Sequence, residues 1–175
     1  MRIVEARYSR LHNISMAIVA VGMIVVALAQ FARGQGAGMM LDVNDPRFAL
    51  YLMLFAAMGF YAWTGLNRFS NRTPQVVIDH DGVLLGFGRN RRFAWKDIEW
   101  VRLRRLGFRP TLQLGLAPEA FVAADLRLSM WSLDDGLRPI RGMPAAVAVR
   151  DNGLDTNAAA MLDAVKSFRP NLIRS

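Results

Sequence analysis

The sequence predicts an α+β protein: an N-terminal helical hairpin able to cross a membrane, then a bent antiparallel sheet capped by a C-terminal helix. Three observations predict it. Residues 14–32 and 48–66 are apolar runs without Asp, Glu, Lys, Arg, His or Pro. From Pro74 onward, short β-branched and alternating runs are separated by turn residues. Between Asp155 and Pro170 the pattern becomes that of one amphipathic helix.

Each apolar run, as a helix rising about 1.5 Å per residue, reaches about 28 Å, close to the ~30 Å hydrocarbon core of a bilayer. A single central charge would cost roughly 2.5–3.5 kcal/mol on insertion, so its absence from both runs is informative. Two other readings remain. Buried helices of a soluble core would carry a polar stripe, which these lack. A cleaved signal peptide would use the basic start (Arg2, Arg7, Arg10) and Ala27-Leu28-Ala29, but the apolar run continues through Phe31 and Ala32.

Residues 1–12 read as a helical lead-in with Ile3, Val4, Tyr8 and Leu11 on one face, either the first turns of the first long helix or a segment lying in the membrane interface. The connection between the spans holds Gly34, Gly36 and Gly38, which close a helix readily. Asp45 and Pro46 suit the cap and first position of the second helix. Ala20, Ala27, Ala49, Ala56 and Gly59 are candidate helix-packing positions, between the spans or against another subunit. Within the spans only Ser15, Gln30 and Thr64 are clearly polar, which disfavours a transport pathway.

Residues 1–73 are thus expected to form the lead-in and hairpin, and residues 74–175 a separate domain. In that domain Val76, Val77 and Ile78 form a β-branched run, and Asp81-Gly82 a tight turn. Residues 83–88 continue as a strand, and Asn90 marks another turn. Further strands are expected over 99–106, 111–116, 126–130 and 145–149. The terminal helix takes Asp155 as its cap and buries Ala158, Met161, Leu162, Val165 and Phe168; Pro170 stops it.

The net charge is +8, with 22 basic residues of which only Lys96 and Lys166 are lysine. Basic residues flank the outer ends of the hairpin (Arg2, Arg7, Arg10; Arg68, Arg72), so both termini are expected in the cytoplasm. The absence of Cys excludes disulfides and thiolate chemistry. Asp79-His80-Asp81 suggests a metal set only superficially, because strand alternation would send His80 away from its neighbours. With no convergent nucleophile or acid–base set, neither a catalytic residue nor a cofactor is assigned, and an enzyme is disfavoured.

The stretches Val76-Val77-Ile78-Asp79-His80-Asp81-Gly82-Val83 and Phe93-Ala94-Trp95-Lys96-Asp97-Ile98 resemble bacterial pleckstrin-homology-like domains. The whole layout is similar to small two-span bacterial inner-membrane proteins with such a domain at the C-terminus. That resemblance implies a seven-stranded bent sheet capped by a helix, on the cytoplasmic face of the inner membrane. It does not imply phosphoinositide binding, and it places Trp95 and Ile98 in the core.

Between residues 89 and 109 lie Arg89, Arg91, Arg92, Lys96, Arg102, Arg104, Arg105 and Arg109 against Asp97 and Glu99. Arg89, Arg91, Arg92 and Arg109 form a candidate basic cluster. Alternation turns Val101 and Leu103 inward and Trp100, Arg102 and Arg104 outward, a candidate interaction face. It could meet solvent, anionic lipid or an acidic protein. No nucleic-acid-binding signal accompanies the charge. The reading is a non-enzymatic membrane interaction protein, an accessory subunit or assembly factor of a larger inner-membrane complex, with lipids and membrane-protein subunits as partners. PH-like domains in assembly proteins of photosynthetic membranes make an energy-transducing host conceivable by analogy. The alternative is a module that binds anionic lipid headgroups through its basic strand.

Overall fold

The computed structural model describes residues 3–33, 46–86, 91–106, 109–124, 139–140 and 143–174. The chain divides into two compact units, Ser9–Arg72 and a second one made of Met1–Tyr8 together with Thr73–Ser175.

The first unit is a pair of helices, α1 (Arg10–Ala32) and α2 (Pro46–Ser70). Helix α2 begins at Pro46, the position where its fixed φ costs nothing and its missing N–H is not needed. Helix α1 starts before the apolar run. The Asn13 backbone N–H and side-chain Nδ2 both donate to the Ser9 carbonyl, at 3.1 and 2.7 Å. Both helices are long and apolar enough to cross a membrane. Their contact is made by small residues: Ala17, Ala20 and Ala62 are buried, with Asn13 and Gly65. A Cβ on Gly65 would lie 2.7 Å from the Asn13 carbonyl oxygen and 3.1 Å from Ala17 Cβ, so the backbones approach closely there.

The second unit is mixed α+β and holds two antiparallel sheets. One has the order β1 (Val4–Ala6), β2 (Val76–Ile78), β3 (Gly82–Leu85) and β4 (Arg91–Ala94). A 3-10 turn at Trp95–Asp97 leads into the other sheet. Its strands are β5 (Ile98–Leu106), β6 (Arg109–Leu116), β7 (Pro139–Ile140) and β8 (Met143–Val149), in the order β5-β6-β8-β7. The short helix α3 (Pro118–Ala123) follows β6, and α4 (Ala158–Phe168) follows β8. The inward faces of both sheets and one face of α4 share a core: Val76, Ile78, Val83, Leu85, Ile98, Val101, Leu112, Leu114, Leu116, Val147, Val149, Met161 and Val165. Trp95 belongs to it and stacks on Phe168, ring centroids 6.2 Å apart. After α4 the tail returns to β5, where the Arg174 N–H donates to the Val101 carbonyl at 2.9 Å.

Several expectations change. The helical lead-in does not form over residues 4–6; this segment is strand β1, paired antiparallel with β2 in the register Val4↔Ile78, Glu5↔Val77, Ala6↔Val76. Residues 3–8 therefore pack with the sheet unit rather than with the hairpin. In place of the single seven-stranded sheet implied by the resemblance, the described residues form two four-stranded sheets, in which β1, β4 and β7 are not among the expected strands. The cap of α4 is Asn157, whose side chain accepts from the Ala160 N–H at 2.8 Å. Asp155 instead exchanges two hydrogen bonds with Arg7: its carboxylate accepts from the Arg7 N–H, and its own N–H donates to the Arg7 carbonyl, both at 2.9 Å. The expected strand over 126–130, the turn at Asn90 and the inter-helix connection over 34–45 lie outside the described residues.

Candidate interaction surfaces

The hairpin between β2 and β3 is organised by one carboxylate. Asp79 Oδ1 accepts from the N–H groups of Asp81 (2.9 Å) and Gly82 (3.1 Å), and Arg92 Nη1 reaches both Asp79 oxygens at 2.8 Å. Trp95 Nε1 donates to the Asp79 carbonyl at 3.0 Å, tying the turn to the core. Gly82 has φ +150°, and a Cβ there would collide with the Phe93 carbonyl oxygen, so the turn requires glycine. Burial alone would raise the Asp79 carboxyl. The Arg92 guanidinium and the two backbone N–H groups reverse that and hold it below the usual carboxylate range.

Possible ligand atoms of Asp79, His80 and Asp81 lie within 4.8 Å of one another. His80 Nε2 is 3.2 Å from Asp81 Oδ1. The expected separation of His80 fails because these residues occupy a turn, where side chains do not alternate. Asp79 already accepts hydrogen bonds from Arg92 and from the turn, so it is a structural group. That leaves His80 and Asp81, both exposed.

On β5 the expected alternation holds. Val101 is fully buried and Leu103 packs against the core, whereas Trp100 and Arg102 are half-buried and Arg104 is exposed on the other face. The opposite strand explains how the first two are held. Trp100 pairs with Gly115, Arg102 with Gln113 and Arg104 with Thr111. The Trp100 ring lies so close over Gly115 that any Cβ there would collide with it. Arg102 Nε donates to Gln113 Oε1 at 2.8 Å, and the guanidinium carbon sits 5.0 Å from the Trp100 ring centroid. Trp100 and Arg102 thus cover the outer side of β6, where Thr111 and Gln113 are buried. Of the three residues, Arg104 is the one presented to solvent.

The candidate basic cluster is also partly committed. Arg92 is bound to Asp79 and lies 3.6 Å from Asp81. Arg91 is half-buried in β4, and Lys96 is exposed. Arg89 lies outside the described residues. The backbone of Arg109 starts β6, and its side chain, like that of Arg105, lies outside what is described.

The helical unit presents a different surface. Of the five candidate packing residues, Ala20 is buried against the partner helix and Ala27 is half-buried. Ala49, Ala56 and Gly59 are exposed, and a Cβ on Gly22 or Gly59 would meet nothing within 4 Å. The contact between the helices is built instead on Asn13, Ala17, Ala62 and Gly65, which the small-residue spacing did not single out. Around the open positions lie large apolar side chains: Ile18, Val19, Val25, Val26 and Leu28 on α1, and Leu50, Leu52, Met53 and Trp63 on α2, each more than half exposed. Compared with protein-family models, curated proteins and solved structures, the chain matches none.

Proposed function

We propose that this protein is a non-enzymatic, membrane-anchored interaction protein, an accessory subunit or assembly factor of a larger membrane complex. One observation carries the membrane anchoring in this reading: the helical unit turns its large apolar side chains outward, with Trp63 70% and Met53 68% exposed. Water does not tolerate an apolar surface of that extent on a soluble monomer, whereas lipid tails and other helices match it. The buried-helix alternative would require these side chains to be covered, and only 17% and 11% of the two apolar windows are buried. Exposed Gly22, Ala56 and Gly59 leave room for a second helix to approach closely.

The proposal extends to the other unit. Two antiparallel sheets with a terminal helix on their shared core support a PH-like domain. The basic flanks Arg2, Arg7, Arg10, Arg68 and Arg72 support a bacterial inner-membrane location with that domain and both termini in the cytoplasm. Engagement of Arg92 by Asp79 and of Arg102 by Gln113 supports a protein partner over a headgroup-binding strand, since two arginines of that region already have partners within the chain. Extraction of native membranes in a mild detergent tests the reading. Co-purification with a stoichiometric membrane subunit is expected; recovery of this chain alone would overturn it.

A further inference from the structure

Strands β1 and β2 are neighbours in one sheet, yet the whole helical pair lies between them in sequence. Only residues 7–9 separate β1 from α1, and residues 71–75 separate α2 from β2. At no more than about 3.6 Å per residue, neither link reaches across a ~30 Å hydrocarbon core. The pairing is also well secured. Ala6 is fully buried, and its carbonyl accepts from the Gln75 N–H at 2.7 Å. Arg7 is held by the two bonds to Asp155, and Tyr8 forms an antiparallel bridge with Leu154.

We infer that the helical pair is an insertion within a single β-hairpin, so that its two roots lie on the same side of the membrane and the sheet unit closes only after the chain has crossed and returned. The inference rests on the membrane reading above. It adds that β1 (Val4–Ala6), with the bridge at Tyr8, is a structural part of the water-facing unit, followed by the first helix and completed by residues synthesised after the second. A cleavage after Ala29 would separate this strand from the chain that holds its partner. A topology with one crossing would place β1 and β2 on opposite sides and leave the β2 edge without its hydrogen-bond partner.

The chain has no cysteine, so a pair can be introduced without background. Glu5 and Val77 face each other across β1 and β2, and directly opposed antiparallel residues have Cα atoms about 4.5–5.5 Å apart, within disulfide range. The test uses the full-length Glu5→Cys/Val77→Cys chain in native membranes, with a protease site inserted in the 34–45 connection. After mild oxidation and cleavage, the halves should stay joined on a non-reducing gel and separate on reduction. In parallel, single-cysteine variants Glu5→Cys and Lys166→Cys should react with an impermeant thiol reagent from the same face of sealed vesicles. Failure of the pair to cross-link in inserted chain, or labelling of the two positions from opposite faces, would overturn the inference. Release of the chain from the membrane by alkaline carbonate would instead remove the membrane reading itself, so the two failures are distinguishable.

Discussion

The two units bury opposite kinds of residue. In the sheet unit the fully buried side chains are large: Ile78, Leu85, Leu112, Leu114, Leu116 and Met161. Among the described residues of the helical unit the buried ones are Asn13, Ala17, Ala20, Ala62 and Gly65, and most large apolar side chains are exposed. In water, sequestering a Leu contributes about 1.5–3 kcal/mol, so a water-facing fold gathers its large residues inside. Against lipid that gain vanishes, and helices associate through close backbone approach at small residues. The contrast supports the proposal that the two units face different solvents.

The sharpest way to break this contrast is to truncate one large residue in each unit. Leu114→Ala, in the centre of the β5-β6-β8 sheet, should cost about 2–5 kcal/mol and lower the unfolding midpoint of the sheet unit. Leu52→Ala, exposed on α2, should change stability in detergent by less than about 0.5 kcal/mol. Equal losses at the two positions would contradict the inversion.

A second test addresses the carboxylate that ties the hairpin to the core. Asp79→Ala strands the Asp81 and Gly82 N–H groups and Arg92, and should cost about 2–3 kcal/mol. Because the Asp79 carboxyl is held below its usual range, its contribution is fully present above the ordinary Asp value of about 3.9. It is lost as pH falls through the lower, folded value. Denaturant titrations of wild type and Asp79→Asn should therefore converge on acidification below about pH 4 and stay separated at neutral pH. A gap that persists at the acid end would show that the charge is not what matters.

The smallest expected effect compares two glycines of the same helix. Gly65→Val places a side chain against the Asn13 carbonyl and should loosen the helix pair by about 1–3 kcal/mol. Gly59→Val meets nothing within 4 Å and should leave the pair intact, read by thermal stability in detergent. A larger loss at Gly59 would point to a contact made there with another chain.

How much of this was legible in the sequence follows from the range of the interactions. The helices and strands β2, β3, β5, β6 and β8 announce themselves locally, through charge-free length, alternation and Asp-Gly turn chemistry. Strand β1 did not, because its partner lies beyond the whole hairpin and Ile3, Val4, Tyr8 and Leu11 also satisfy a helical period. A signal was present: Val4, Ala6 and Tyr8 alternate with Glu5 and Arg7, which pair with each other at 2.8 Å on the outward side. Asp155 has the local pattern of a cap, but its partner is Arg7, distant in sequence. The outward face of Trp100, Arg102 and Arg104 was readable from alternation. Its partial closure was not, because Gln113 and Gly115 act from the neighbouring strand.

The membrane reading requires that lipid surround the outward faces of α1 and α2. Washing native membranes with alkaline carbonate, which strips peripheral proteins and leaves embedded ones, tests it most directly. The account predicts that the intact chain stays in the pellet and leaves it only with detergent. Appearance of the intact chain in the carbonate supernatant would contradict it.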